Sequence, residues 1–403
     1  MRTDVWATGL GAMTPLGGDV GTTWAAMLAG ANGIQSLTEP WARDLPVRMA
    51  ARLTDDPADA LPRAFARRLD RGEQLAIVTA RQAWVDAASP EVDPDRLAVV
   101  IGTGVGGVLS TLGQNHVLET LGPRKVSPNT VPMLMPNGPA AWVSMDLNAQ
   151  GGAHTPVSAC ASGAEAIAVG LDLIRAGRAD VVVAGGTEAC LHPLPLTSFA
   201  QMRALSADDG ESDRACRPFD VARNGFVLGE GAAIVVLERA GHAKARGAKA
   251  HGVVLGAGIS SSAVHITASD THGQIRAITK ALRDSGVDPG DVGHVHAHAT
   301  STPQGDLAEA QAIAKAVGVH PVVTATKSMT GHLLGASGAL GAIAAILALR
   351  DGKVPPTRNL DTLDPEIDLD VVTATARHGR WTTALANSFG FGGHNVSLVL
   401  GPP

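Results

Sequence analysis

Val157-Ser-Ala-Cys160-Ala-Ser-Gly-Ala-Glu-Ala-Ile167 begins as a short β-branched and polar run and turns into a helix of small residues. Apolar side chains then recur at helical spacing, at Ala164, Ile167, Ala168, Leu171 and Ile174. The pattern therefore puts Cys160 at a helix N-terminus, where unpaired N–H groups and the helix dipole favour thiolate over thiol. Those are the conditions of a nucleophile. A solitary cysteine is as readily a buried, inert one, and this segment alone does not decide between the two.

The same helix recurs. Residues 161–177 (ASGAEAIAVGLDLIRAG) and 336–352 (ASGALGAIAAILALRDG) have equal length, open A-S-G-A and close R-x-G. A second pair follows in the same order, 226–237 (FVLGEGAAIVVL) and 389–400 (FGFGGHNVSLVL), each a glycine turn running into an apolar strand. Matching order makes duplication a better account than chance resemblance of Ala/Gly-rich helices. Strand-like runs at 97–101, 180–184, 232–237, 292–296, 322–325 and 370–373 alternate with helical stretches at 73–88, 273–285 and 307–317. This alternation predicts an α/β protein with buried sheets. Two pseudo-equivalent halves, 1–250 and 251–403, are expected to share one core.

At 403 residues the chain can bury a large core. Its three cysteines, Cys160, Cys190 and Cys216, lack metal-ligand spacing and are odd in number. Neither a disulfide framework nor a zinc site is indicated, and a cytoplasmic location is expected. Residues 1–17 carry Asp4 and glycine breaks where a signal peptide needs an unbroken apolar stretch, and the apolar run near 341–349 looks too short to span a bilayer. No membrane is expected as a partner. With 32 basic and 38 acidic residues the net charge is −6, which argues against nucleic acid, although a local basic patch remains compatible with an acidic partner.

Two motifs invite other readings. Gly102-Thr-Gly-Val-Gly-Gly107 follows a strand and fits G-x-G-x-x-G, but the stretch 109–117 beyond it lacks a clean helix start. Close backbone packing or a pocket wall is the better use of those glycines. His294-Val-His-Ala-His298 would put three imidazoles on one face of a strand, yet no carboxylate or cysteine lies nearby in sequence to complete a metal site. No metal and no resident cofactor is expected.

Three more segments are polar and glycine-rich: His298-Ala-Thr-Ser-Thr-Pro-Gln-Gly-Asp306, Thr326-Lys-Ser-Met-Thr-Gly-His332 and Asn387-Ser-Phe-Gly-Phe-Gly-Gly-His-Asn395. Together with the Cys160 segment they resemble the four signatures of the elongating β-ketoacyl-acyl-carrier-protein synthases, the actinobacterial type-II-like members in particular. The resemblance runs nearly end to end, from A-T-G-L-G-A-M-T-P-L-G (7–17) through C-R-P-F-D (216–220) and G-F-V-L-G-E-G (225–231) to the C-terminus. It implies a thiolase-like fold of five α-β-α-β-α layers.

The resemblance also implies roles. Cys160 would take an acyl chain from a thioester, dividing one hard step into two. His298 and His332 would donate from Nε2 to the enolate oxygen formed as malonyl thioester loses carbon dioxide. Amides of Cys160 and Phe391 would hold the oxyanion of the condensation step. Lys327 and Glu309 would form a buried ion pair that orients His332. Thr300 and Thr302 would bind the carrier's phosphopantetheine, Phe391 would gate the acyl pocket, and Val105 and Phe389 would line it. Arg67, Arg68, Arg124, Lys125 and Arg203 match positions that face the acidic acyl carrier protein. The family forms dimers, so a homodimer or a heterodimer with a chain-length-factor-like subunit is expected.

Related chemistries fit less well. Thiolases use a second cysteine near the C-terminus, and this chain has none after Cys216; initiating synthases carry asparagine where His332 stands; chain-length factors lack the nucleophile. The expected activity is fatty-acid-type elongation, with the catalytic subunit of a type II polyketide synthase as the alternative and a non-condensing, decarboxylating partner as a third reading. Departures from the usual pattern leave the pathway open: Ser262 for Asp and Ala268-Ser269 for a small-residue–Pro pair in a gating loop, Asn224 for Asp, and Ala386 for Asn.

Overall fold

The computed structural model describes residues 3–207 and 212–403; residues 1–2, at the head of the segment expected to begin the fold, and 208–211 lie outside it. Eleven strands form one mixed sheet. They are β1 (Val5–Met13), β2 (Leu97–Gly102), β3 (Ala153–His154), β4 (Val181–Glu188), β5 (Gly231–Arg239), β6 (Gly252–Ser261), β7 (His294–His296), β8 (Val322–Thr324), β9 (Asp370–Val371), β10 (Ala384–Gly390) and β11 (His394–Gly401). The helices that position the site are α1 (Arg71–Asp86), α2 (Val108–Leu121), α3 (Gly138–Asp146), α4 (Ser162–Arg175), α5 (Thr271–Ser285), α6 (Pro303–Ala316) and α7 (Ser337–Asp351).

The strand order is β9-β8-β7-β10-β11-β6-β1-β5-β4-β2-β3. Numbered within its own half, each half runs 3-2-4-5-1, and β9 is an addition at one edge. The halves meet where β1 and β6 pair antiparallel through Val5–Val254, Trp6–Val253 and Ala7–Gly252. The duplicated segments are equivalent elements: the first pair forms α4 and α7, and the second ends in the fifth strand of each half, β5 and β11.

Alternation along the strands builds the layers. On β4, Val182 and Ala184 face a central core while Val181 and Val183 face an outer one; on β11, Val396, Leu398 and Leu400 face the centre and Val399 faces outward. Helices α4 and α7 pack together in the centre, α1 and α3 cover the first half-sheet, and α5 and α6 cover the second. The result is the thiolase-like five-layer stack. Strands covered on both faces are buried along their whole length, and β4 is apolar from Val181 to Gly186.

Local chemistry sets the helix ends. Asp70 and Glu73 form a capping box at the start of α1, and Asp270 accepts the amides of His272 and Gly273 at the start of α5. In α4, Ile167, Leu171 and Ile174 are at most 1% exposed, each burial contributing about 1.5–3 kcal/mol. The run Leu334–Asp351 corrects the expectation of too short an apolar stretch. It has 18 residues at mean hydropathy 1.4, long enough to cross a bilayer, but 89% of it is buried inside the protein as the central layer.

Candidate active site

Cys160 is 9% exposed and lies in the tight turn Ala159–Ala161 that feeds α4. Ala159 adopts φ +52°, a left-handed conformation costing about 1–3 kcal/mol in a non-glycine residue. Ser162 holds the turn: its Oγ accepts the Ser158 amide at 2.9 Å and faces the carbonyls of Ala159 and Thr103 at 2.7 and 3.1 Å. From the other half, Ser388 Oγ donates to the Cys160 carbonyl at 2.9 Å. Gly390 must lack a side chain here, because a Cβ would sit 2.5 Å from the Ser158 carbonyl oxygen and 3.1 Å from the Cys160 nitrogen.

Burial pushes the Cys160 thiol up to about 12; the Lys327 charge opposes the rise, Glu188 adds to it, and the amides of Phe391 and Cys160 favour the thiolate. This corrects the expectation drawn from the helix N-terminus. Desolvation outweighs the amides and dipole, so the resting residue is a neutral thiol.

The second half repeats the construction. Ser337 opens α7 as Ser162 opens α4, and its Oγ accepts the Leu333 amide at 2.8 Å. The same Oγ lies 2.9 Å from His332 Nδ1. With the Ser337 hydroxyl donating and Nδ1 accepting, the proton of neutral His332 stands on Nε2. Nε2 is buried without a partner. The His298 ring stands edge-on to His332 with centroids 5.4 Å apart, and its own Nδ1 is buried and unpartnered. Burial, with the Lys327 charge adding to it, holds both imidazoles well below the usual histidine range, so both are neutral at pH 7.

The hydrogen bonds of Lys327 and Glu309 go to the His298 turn, while the Lys327 charge also acts on His332. Glu309 accepts the His298 amide at 2.8 Å, the Ala299 amide at 2.6 Å and Asn387 Nδ2 at 3.1 Å. Lys327 Nζ donates to the His298 carbonyl. The two charges therefore grip the main chain of the His298 turn from opposite sides. Burial raises Glu309 and lowers Lys327, and each charge partly offsets the other's shift.

Cys160, His298 and His332 line one cavity of about 200 Å³ together with Val105, Thr300, Thr302, Phe389 and Phe391. Thr300 and Thr302 hydroxyls are 3.1 Å apart. Sequence reasoning missed the apolar wall of Phe199, Ala204 and Phe226 and the buried polar pair Gln274 and Asn395. Phe199 lies in no motif, and the motif that holds Phe226 (225–231) drew notice for its glycines, so only the fold assembles this wall. Arg67, Arg68, Arg124, Lys125 and Arg203 are exposed and stand outside the cavity wall.

The glycine loop and the histidine run take specific places. Gly104 and Val105 form cavity wall, and their amides are already bound by the carboxylate of Glu188 at 2.6 and 3.3 Å. A helix does follow, at Val108–Leu121, although no side chain caps it. His294 Nδ1 bonds the Val322 carbonyl, His296 Nε2 bonds Thr326 Oγ1, and only His298 of the three reaches the cavity.

A buried thiol, two neutral imidazoles and a pair of amides, brought together by duplicated halves, define a thiolase-fold acyltransferase site. The N-terminal domain model of the beta-ketoacyl synthases matches residues 2–243 and its C-terminal domain model residues 251–361; the chain belongs to the beta-ketoacyl synthase family. It is 46% identical over 403 residues to a 3-oxoacyl-[acyl-carrier-protein] synthase 2 of Mycobacterium tuberculosis, covering 98% of this chain and 97% of that one. Among solved structures, the ishigamide ketosynthase/chain length factor superposes with a TM-score of 0.93 at 32% identity. A ketosynthase bound to a hexaketide, in complex with a type II polyketide acyl-carrier protein, superposes at 0.92 and 29%. Both cover 100% of each chain.

Proposed function

We propose that this chain elongates acyl chains by decarboxylative condensation, converting acyl- and malonyl-carrier thioesters into a 3-oxoacyl thioester two carbons longer. The carrying observation is the unpartnered Nε2 of neutral His332, which shares a cavity with Cys160 and His298. A buried donor without a partner is costly, and an oxygen that becomes negative in the reaction is the partner it suits.

In the first step the Cys160 sulfur forms a bond to the acyl carbon, the carrier's C–S bond breaks, and the thiol proton passes to the departing carrier thiolate. The elongating malonyl thioester then loses carbon dioxide, leaving its electron pair as an enolate held by N–H donors of His298 and His332. The enolate carbon attacks the acyl-Cys160 carbonyl, whose oxyanion sits against the amides of Cys160 and Phe391. Collapse releases the Cys160 thiolate, which takes a proton from solvent. Lys327 and Glu309 hold the His298 turn, Thr300 and Thr302 bind the phosphopantetheine arm, and Phe391 gates the pocket with Val105 and Phe389 as its wall. No cofactor beyond the carrier's phosphopantetheine is needed.

The partner is acyl carrier protein, met by the exposed Arg67, Arg68, Arg124, Lys125 and Arg203. A homodimer is the preferred assembly in a cytoplasmic enzyme. The exposed edge strand β3 and the exposed Leu121, Val131 and Met145 support a second subunit on that side. A chain-length-factor-like subunit there, in a type II polyketide synthase, is the second reading, and the resemblance to the ishigamide pair favours keeping it. Purified protein is incubated with malonyl-carrier and a panel of acyl-carriers, with and without a partner subunit, and the carrier thioesters are weighed. Two-carbon extension is expected; loss of carbon dioxide without extension under every condition overturns the reading.

A further inference from the structure

Glu188 ends β4, the one acidic residue of an eight-residue strand that is buried throughout. Its carboxylate accepts from Thr103 Oγ1 at 2.9 Å, from the amides of Gly104 and Val105, and from the Gly335 amide at 3.1 Å. It is 1% exposed, and its ligands are neutral N–H and O–H groups. Duplication gives the position a meaning. The matched segments begin at Ala161 and Ala336, so Gly335 in the second half corresponds to Cys160 in the first. The Cys160 amide faces the reacting sulfur, and its counterpart, the Gly335 amide, is stoppered by Glu188.

We infer that Glu188 is a positioning residue of the condensation reaction: it ties the Gly104–Val105 wall to the turn after His332, and its buried negative charge sets the reactivity of the Cys160 sulfur. This rests on the proposed role of Cys160 as acyl carrier. Lys327, from the turn after β8, and Glu188, from the end of β4, are the charges that act most on Cys160. Cys190, two residues beyond Glu188, also feels Glu188, together with Glu230 and Cys160. Lys327 favours the thiolate and Glu188 opposes it. A sulfur held at high basicity is less often ionised, but each thiolate is the stronger nucleophile and, once acylated, the poorer leaving group. Glu188 thereby biases the site toward keeping its acyl chain, since the thioester is neutral and the free thiolate is not.

The test needs no carrier and no condensation. Cys160 is alkylated with iodoacetamide from pH 5.5 to 9.5 and followed by mass spectrometry of its peptide; the sulfur gains a carbon, iodide leaves, and the thiol proton goes to buffer. Burial pushes Glu188 up to about 7. Wild type should lag near that pH as the carboxylate ionises. Glu188→Gln should match wild type below it and exceed it above, by about three- to fourfold for each unit by which Cys160 falls, because the tenfold gain in thiolate is partly cancelled by its weaker nucleophilicity. Glu188→Asp, which keeps the charge, should follow wild type.

Parallel curves for Glu188→Gln and wild type at every pH, or a Glu188→Asp curve that departs like Glu188→Gln, would overturn the inference. If Glu188→Gln fails to fold, the wild-type curve alone decides, and an unbroken unit slope through pH 7 refutes it. Alkylation that behaves as expected in a protein unable to extend acyl chains would sink the elongation reading while leaving the Glu188–Cys160 coupling intact.

Discussion

Ser337 Oγ lies 2.9 Å from His332 Nδ1 while accepting the Leu333 amide, which leaves its hydroxyl proton free to donate to Nδ1 in the His332 tautomer that carries its proton on the cavity side. Ser337→Ala removes the selection and leaves ring and cavity in place. Carbon dioxide release from malonyl-carrier should fall about fivefold, the worth of one neutral hydrogen bond near 1 kcal/mol, with little change in KM.

The thiol and the imidazoles serve separate half-reactions, so they should separate on mutation. Cys160→Ala should abolish the acyl-enzyme adduct seen by intact-protein mass spectrometry. Cys160→Gln should also fail to acylate yet retain malonyl decarboxylation. Elongation by the alanine variant would show that another residue carries the chain.

Glu309 and Lys327 clamp one turn, and their effects should not add. Glu309→Gln and Lys327→Ala should each lower kcat by about 10- to 100-fold, matching the 1.5–3 kcal/mol of a hydrogen bond to a charged group. The double variant should be little worse than the worse single variant. Additive losses in a double-mutant cycle would mean that the two residues act on different groups.

Glu73 gives a stability prediction away from the cavity. Burial lifts its carboxyl to about 8 from 4.5, against the opposing Asp70 amide. A group raised on folding contributes stability that is full below its unfolded value and is lost as pH climbs through the folded one. Glu73→Gln keeps an acceptor for the Asp70 amide and removes the charge. Its Tm should match wild type at pH 4.5 and exceed it by a few degrees at pH 9; a constant offset at all pH values would contradict this.

The duplication was legible because both copies keep A-S-G-A, and the structure gives a physical reason for the serine: Ser162 and Ser337 each accept the amide four residues back. Cys160, His298 and His332 stood out because polar, glycine-rich segments are unusual in a buried sheet protein, and the fold brings all three to one cavity. The protonation of Cys160 was not legible, since it depends on the surrounding volume rather than on the helix that follows. Glu188 was hidden for the opposite reason. It ends an apolar run as an ordinary strand terminus would, and only the folded chain shows four donors converging on it.

The helix starts that carry these groups touch through bare main chain: a Cβ on Gly163 would lie 2.6 Å from the Gly335 oxygen, and one on Gly186 2.2 Å from the same atom. The spacing of the main chain beneath the sulfur and the imidazole is thus set by peptide units in contact, with no side chain between them. Phe226 packs edge-on against His332 with ring centroids 5.3 Å apart, whereas Phe199 and Ala204 line the cavity away from that contact, so it is there that the room for the acyl tail can be reshaped while the helix starts keep their spacing.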